Sequence, residues 1–333
     1  MNSSTLSPSP LVEPPAASAR VRPDVAALWQ SSGMLIVFLV LFAGVSLFVP
    51  HFFSWVNMTG LSLSVATVGI IACTMLFCLA SGDFDLSVGS VVAFSGVLSA
   101  VVVNATGNIW LAIGAGILAG GLVGLMNGFV IAKLGVNALI TTLATMQIVR
   151  GLAYIVSNGK AIGVGESNFF VLGISSIAGI PTPVWIMIAS FVVFGFLLNR
   201  TIFGRNTLAI GGNPEASRLA GIAVTRTKII IFSMQGLVAG FAGVILASRL
   251  TSGQPSTAQG LELQVISACV LGGVSLNGGV GSMMAVIVGA LIMGTVQNSM
   301  NLLNIAPFYQ YVASGSILLA AVLLDRLKQK STR

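Results

Sequence analysis

The chain has 333 residues, 56% of them hydrophobic and only 7% charged, with a mean hydropathy of +1.00 and a formal net charge of +7. A soluble domain carries about a quarter charged residues, so the composition excludes a water-soluble globular protein and predicts a chain dissolved in a bilayer. The basic residues are dispersed over loops instead of gathered on one surface, which excludes a nucleic-acid binder.

Residues 1–32 come first. Met1 to Ser18 is rich in Ser, Pro and Ala with a single charge, and such a segment cannot bury enough surface to offset its ordering entropy. A disordered cytoplasmic tail is expected. The apolar run Gly33–Val49 ends in Val49-Pro50-His51-Phe52 with no small-x-small cleavage site, so it is expected to stay as a span. Crossing the roughly 30 Å hydrocarbon layer takes about 20 helical residues. On that measure Gly60–Ala80, Val88–Val103, Trp110–Ala132 and Ala138–Val156 follow as spans. Val184–Leu198, Ile229–Ala247, Leu263–Leu271, Met283–Met300 and Tyr311–Leu324 complete the series. The prediction is an all-α polytopic membrane protein of about ten helices over 33–325, with a cytoplasmic tail at 326–333. Leu263–Leu271 is short for a crossing. The runs are uniformly apolar, whereas a barrel strand alternates.

Ten crossings with the N-terminus inside put Arg20, Arg22, Lys133, Arg200, Arg205 and Arg218 in the cytoplasm, together with Arg226, Lys228, Arg326, Lys328, Lys330 and Arg333. Only Lys160 and Arg249 fall outside, and Arg150 falls within a span. This asymmetry predicts both termini cytoplasmic. His51, beside Phe52, Phe53 and Trp55, reads as an interfacial anchor. Cys73, Cys78 and Cys269 form no C-x-x-C pair and read as buried thiols.

Between the second and third spans lies CLASGDFDLSVGS, with two of the eight acidic residues, Asp83 and Asp85. A break in the helix at that level is tolerated only where protein or water satisfies its backbone. Asp85 or Ser87 is suited to cap the third span. Arg150, inside LATMQIVRGLAYIV, is a guanidinium among apolar residues, which needs a partner in the protein interior or a water-filled cavity. Two readings stand side by side: capping plus internal contacts, or groups bordering a solute path. The path reading adds polar span residues, namely Asn127, Thr141, Thr142, Thr145, Gln147 and Asn298. Such residues also serve as glue between helices.

Gly116, Gly120, Gly124 and Gly128 recur every four residues, and Gly236 with Gly240 repeats the spacing. These stripes predict close helix packing. The chain also resembles itself. Cys78 and Gly82 match Cys269 and Gly273 at an offset of 191, and Gly89, Ser90 and Ala93 match Gly281, Ser282 and Ala285 at 192. Counted as an odd number of crossings apart, the segments predict halves of opposite orientation, an inverted repeat of the kind that transporters use.

The largest cytoplasmic loop, 204–222, carries helix punctuation. Asn213 is an N-cap, Pro214 suits the first helical position, Glu215 complements the dipole and Gly221 ends the helix. A helix of about two turns is unstable alone in water, so a partner is expected to receive it. No G-x-x-x-x-G-K-[ST] phosphate loop, G-x-S-x-G or H-E-x-x-H occurs. GAGILAGG lies inside a span with no strand before it and reads as packing. Neither a nucleotide engine nor catalytic machinery is expected on this chain.

SGDFDLSVGS, NALITTLATMQIVRGLAYI, FGRNTLAIGGNPEASRLAGI and SACVLGGVSLNGGVGS together resemble the membrane permeases of ATP-binding-cassette importers for ribose, galactose and arabinose. TKIIIF, ILASRLTSGQP and MNLLNIAPFYQY are similar to the L-arabinose branch. The resemblance implies a homodimeric inner-membrane channel fed by a periplasmic sugar-binding protein. It also implies a cytoplasmic ATPase subunit that carries the ATP and magnesium, leaving no cofactor on this chain. The loop helix would dock on that ATPase, with Arg205, Asn206, Thr207, Asn213, Pro214, Glu215, Arg218 and Gly221 in the coupling segment. The rival is an ion-coupled secondary transporter using Asp83 and Asp85.

Overall fold

The computed structural model describes residues 25–331 and the side chains of residues 33–323. Most of the expected N-terminal tail, with Arg20 and Arg22, lies outside the described residues, as does Arg333. The element order opens with α1 (Val25–Phe48), α2 (Trp55–Ala80), α3 (Val88–Thr106), α4 (Ile109–Ala132) and α5 (Ala138–Ser157). An insertion follows: strand β1 (Ile162–Gly163), a 3-10 turn, α6 (Val171–Ile174), and strands β2 (Ser176–Ile177) and β3 (Ile180–Pro181). Then come α7 (Thr182–Arg200), α8 (Ile202–Gly212), α9 (Pro214–Leu219), α10 (Val224–Arg249) and strand β4 (Ser252–Gly253). The chain closes with α11 (Leu261–Leu271), α12 (Met283–Leu302) and α13 (Pro307–Ser331).

Seven helices, α2, α3, α4, α5, α7, α10 and α12, are long and apolar enough to cross a membrane, and three shorter apolar stretches lie at Gly33–Phe48, Leu261–Leu271 and Pro307–Leu323. Every predicted span falls on one of these ten. The boundaries move outward in places, because helix formers flank the apolar cores: α1 begins at Val25, inside the expected tail, and α2 at Trp55, where Ser54 accepts the Asn57 N–H as N-cap.

α2 is the hub. Its most apolar stretch is 83% buried, against 28% for α4 and α5 and 22% for α7, so the outer helices turn apolar faces away from the protein while α2 is enclosed. The glycine stripes do what the spacing predicts. A methyl group on Gly120 would meet the Gly236 carbonyl, and one on Gly236 would meet the Gly120 carbonyl. Close backbone approach is the main source of helix affinity where lipid supplies no hydrophobic drive.

α12 lays Gly281 on Leu76 and Ala80, and Gly294 on Val65, so it runs opposite to α2. It also sets Gly289 against Ala268 and Gly272 against Ala285, so it runs opposite to α11. α2 and α11 therefore run in the same sense. This corrects the expected opposite orientation of the CLASGDFDLS and CVLGGVSLN segments: on the ten-span count six helices separate their ends, an even number. What repeats is a helix end. Gly82 and Gly273 both have φ of 83°, and Asp83 N–H donates to Cys78 O at 3.0 Å as Val274 N–H donates to Cys269 O at 3.0 Å, the six-to-one bond of a glycine C-cap.

Candidate functional site

The backbone is broken at two levels of the helical bundle. The first break, residues 81–87, joins α2 to α3. Asp85 Oδ1 accepts the Ser87 N–H at 2.9 Å and the Ser87 hydroxyl at 2.6 Å. Ser87 Oγ in turn accepts from Asn127 Nδ2 at 3.0 Å, and Asn127 Oδ1 accepts from Thr145 Oγ1 at 2.7 Å. All four are buried. The chain thus links the break to α4 and α5 with every member partnered. Ser87 is the N-cap of α3 without a side-chain cap bond, so the expected capping by Ser87 is replaced by an Asp85 bond to its own loop. Asp83 forms an ion pair with Lys228 of α10 at 2.7 Å, with side chains 10% and 17% exposed. Burial pushes both carboxyls above their ordinary range; the Lys228 ammonium opposes this at Asp83, and the Ser87 bonds oppose it at Asp85.

Of the remaining path candidates Thr142 reaches the first break, while Thr141, Gln147 and Asn298 do not bond to it. Thr141 donates to Asn137 O one turn back, and Thr142 donates to Ala138 O and, at 3.4 Å, to Phe84 O within the first break. Asn298 exchanges reciprocal amide bonds with Asn57 at 2.7 and 3.0 Å, tying α12 to α2. Gln147 is exposed on α5.

The second break, residues 250–260, leads into α11. An α11 of eleven residues is about 16 Å long at 1.5 Å per residue, roughly half a bilayer core. The preceding segment supplies the rest of the depth. Gly253 lies on Val97 and Ala100 in the middle of α3, and the Ala258 carbonyl lies on Gly89 in its first turn. Arg150 satisfies the unwound backbone by donating from Nη1 to Pro255 O and Thr257 O, both at 2.7 Å. β4 pairs antiparallel with β1, Gly253 opposite Ile162. The predicted partner of Arg150 is therefore backbone carbonyl oxygen, which irregular chain buried at this depth requires.

At the other end of the molecule, the coupling loop holds two helices where one was expected. α9 keeps the predicted punctuation: Asn213 Oδ1 accepts the Ala216 N–H at 2.9 Å, Pro214 opens the helix, Gly221 has φ of 84°, and Ile222 N–H donates to Ser217 O at 3.0 Å. Glu215 and Arg218 pair at 2.8 Å while 66% and 70% exposed, and Leu219 is 82% exposed. α9 thus presents a charged pair and one large apolar side chain outward from the bundle. α8, read from sequence as loop, seats α9 on the bundle. A methyl group on its Gly211 would meet the Ala80 carbonyl and Gly279 N, and Gly279 N–H itself donates to Ala80 O at 2.9 Å. Arg205 is exposed and Asn206 half-buried, whereas Thr207 is fully buried and bonds Phe203 O. A hollow of about 480 Å³ beside α9, lined by Arg218, Ile222, Arg226 and Ile229, belongs to the same face.

Residues 57–322 match the family described as branched-chain amino acid transport system, permease component. The chain is 62% identical to the L-arabinose transport system permease protein of Escherichia coli (strain K12) over 306 residues, 92% of this chain and 93% of that protein. It is 56% identical to the L-arabinose ABC transporter permease protein of Azospirillum brasilense over 327 residues, 98% and 96% of the two chains. It is 42% identical to the ribose import permease protein of Bacillus subtilis (strain 168) over 301 residues, 90% and 94%. No solved structure matches.

Proposed function

The chain belongs to the transport-system permease-component family, and on that premise we propose that it is the membrane subunit of an ATP-binding-cassette importer that carries L-arabinose into the cytoplasm. The observation that carries the substrate is the 62% identity to an L-arabinose permease over nine-tenths of both chains. The working unit is a homodimer fed by a periplasmic sugar-binding protein and driven by a cytoplasmic ATPase subunit. ATP and magnesium reside on that ATPase. The chain crosses the inner membrane ten times with both termini cytoplasmic; the seven long helices, three shorter apolar stretches and uneven basic residues support this count and sense.

α9 is the part that meets the ATPase, and its exposed Glu215–Arg218 pair and Leu219 support that role. Gly211 sits without a side chain against the end of α2 and the Gly278–Gly279 turn. Displacement of α9 on ATP binding then reaches α2 through α8, whose Gly211 touches the end of α2 by backbone contact with no flexible side chain between to absorb it. Hydrolysis lets the pair of subunits return. The ion-coupled alternative loses its coupling groups, since Asp83 is held by Lys228 and Asp85 by Ser87.

The test is uptake of labelled L-arabinose into proteoliposomes holding the permease and ATPase subunits with binding protein outside. Uptake that requires ATP and survives an uncoupler is expected. Uptake by the permease alone that stops when the proton gradient collapses would overturn the reading.

A further inference from the structure

The residues that line a path for a neutral sugar need accessible, free hydrogen-bonding groups, and the buried polar residues of the first break are engaged within the protein. Asp85, Ser87, Asn127 and Thr145 are bonded to one another in one chain, and Asn298 exchanges amide bonds with Asn57. A different place in the fold has the opposite character. Where the second break turns into α11 it meets the first turns of α13 around a cavity of about 190 Å³. Its walls include Gln259, Gly260, Gln264, Gln310, Tyr311 and Ser314, with no charged side chain among them.

Three features of this cavity select its occupant. Its volume is below the roughly 300–1,000 Å³ of pockets for drug-sized ligands, so it suits a small solute. Three carboxamides and two hydroxyls border it; Gln310 donates to Asn301 Oδ1 at 2.7 Å, and the side chains of Gln259, Gln264, Tyr311 and Ser314 have no hydrogen-bond partner among the described residues. Donors and acceptors in equal supply without fixed charge match a polyol and offer nothing to an ion. Gly260, at φ of 75°, brings backbone to within a methyl's contact of the Tyr311 ring, leaving that ring with one flank fixed and its polar tip available.

Arg150 gives the cavity a defined shape. The two carbonyls it holds, Pro255 O and Thr257 O, stand just before Gln259 and Gly260 in the chain. The guanidinium thus fixes the stretch that forms one wall, and α11 and α13 form the other. Arg150 is a positioning residue for the cavity.

We propose that the cavity between the start of α11 and the first turns of α13 is a subsite for one neutral monosaccharide on the translocation path, with Gln264, Tyr311 and Ser314 as its contacts. The proposal rests on the importer reading above and locates the sugar within it.

The experiment uses the permease assembled with its ATPase subunit in nanodiscs, without binding protein, and L-arabinose as probe in saturation-transfer NMR. Transfer to the sugar is expected in the unmodified complex. Gln264→Leu and Tyr311→Ala should each weaken apparent affinity by about threefold to tenfold, the range of one neutral hydrogen bond. Assembly with the ATPase is followed by gel filtration; should either variant fail to assemble, Tyr311→Phe and Ser314→Ala remove one hydroxyl each and should still weaken transfer by about threefold. Undiminished transfer in the variants, or none in an unmodified complex that takes up L-arabinose when its partners are supplied, overturns the subsite and leaves the importer reading intact. An unmodified complex that takes up no L-arabinose with all partners present defeats both.

Discussion

The two breaks in the bundle solve the same problem in opposite ways. Residues 81–87 are closed by side chains that satisfy each other, from Asp85 through Ser87 and Asn127 to Thr145, with Asp83 locked to Lys228. Residues 250–260 are closed through their backbone, by one guanidinium and a two-residue strand pair, which leaves the neighbouring glutamines, serine and tyrosine open. Polar residues inside a membrane protein therefore divide by what they have left over. A group whose bonds are spent is structural, and an accessible group whose bonds are free is available to a solute, whereas Ser90, Ser95 and Gln235 are free of partners but shut inside the bundle.

The contrast can be broken experimentally, beginning where the effect is largest. Lys228→Ala strands the Asp83 carboxylate in a largely buried position, and loss of one partner of such a pair costs about 3–5 kcal/mol. Thermal unfolding of the purified protein should show this, and adding Asp83→Asn should recover most of it. Next comes Asn127→Leu, which strands the buried Thr145 hydroxyl and removes the bond that Ser87 Oγ accepts, while Ser87 keeps its bond to Asp85; about 1–3 kcal/mol is expected in the same assay. Arg150→Gln should cost about 1–3 kcal/mol by releasing two carbonyls, with faster amide exchange confined to residues 252–260. The smallest stability effect belongs to Glu215→Ala with Arg218→Ala. That pair is exposed and worth under about 1 kcal/mol, yet L-arabinose uptake should fail while ATP hydrolysis by the assembled complex continues. A variant that unfolds would show instead that α9 holds the fold together.

Much of this was legible in the sequence. Uniform apolar runs placed the seven long apolar helices and the three shorter apolar stretches, and Asn213, Pro214 and Gly221 marked α9 at both ends, because these signals are local. α8 escaped since Gly204, Gly211 and Gly212 weaken its helix propensity; packing of those glycines against Leu198, Ala80 and the Gly278–Gly279 turn favours it instead. One local signal was present, Thr201, whose hydroxyl accepts the Gly204 N–H at 3.3 Å. Arg150 announced itself as needing a partner, but its partners lie 105 and 107 residues away. The α11–α13 cavity could not be read at all: Gln264 and Tyr311 stand in separate helices, and neither is unusual alone.

Hydrogen exchange of the permease–ATPase complex, measured with and without saturating L-arabinose, compares the two breaks in one experiment. Added protection over residues 257–264 and 307–315, with none over 81–87, is the predicted result. Protection of 81–87 alone would place the sugar at the wrong break and contradict the division between spent and free polar groups.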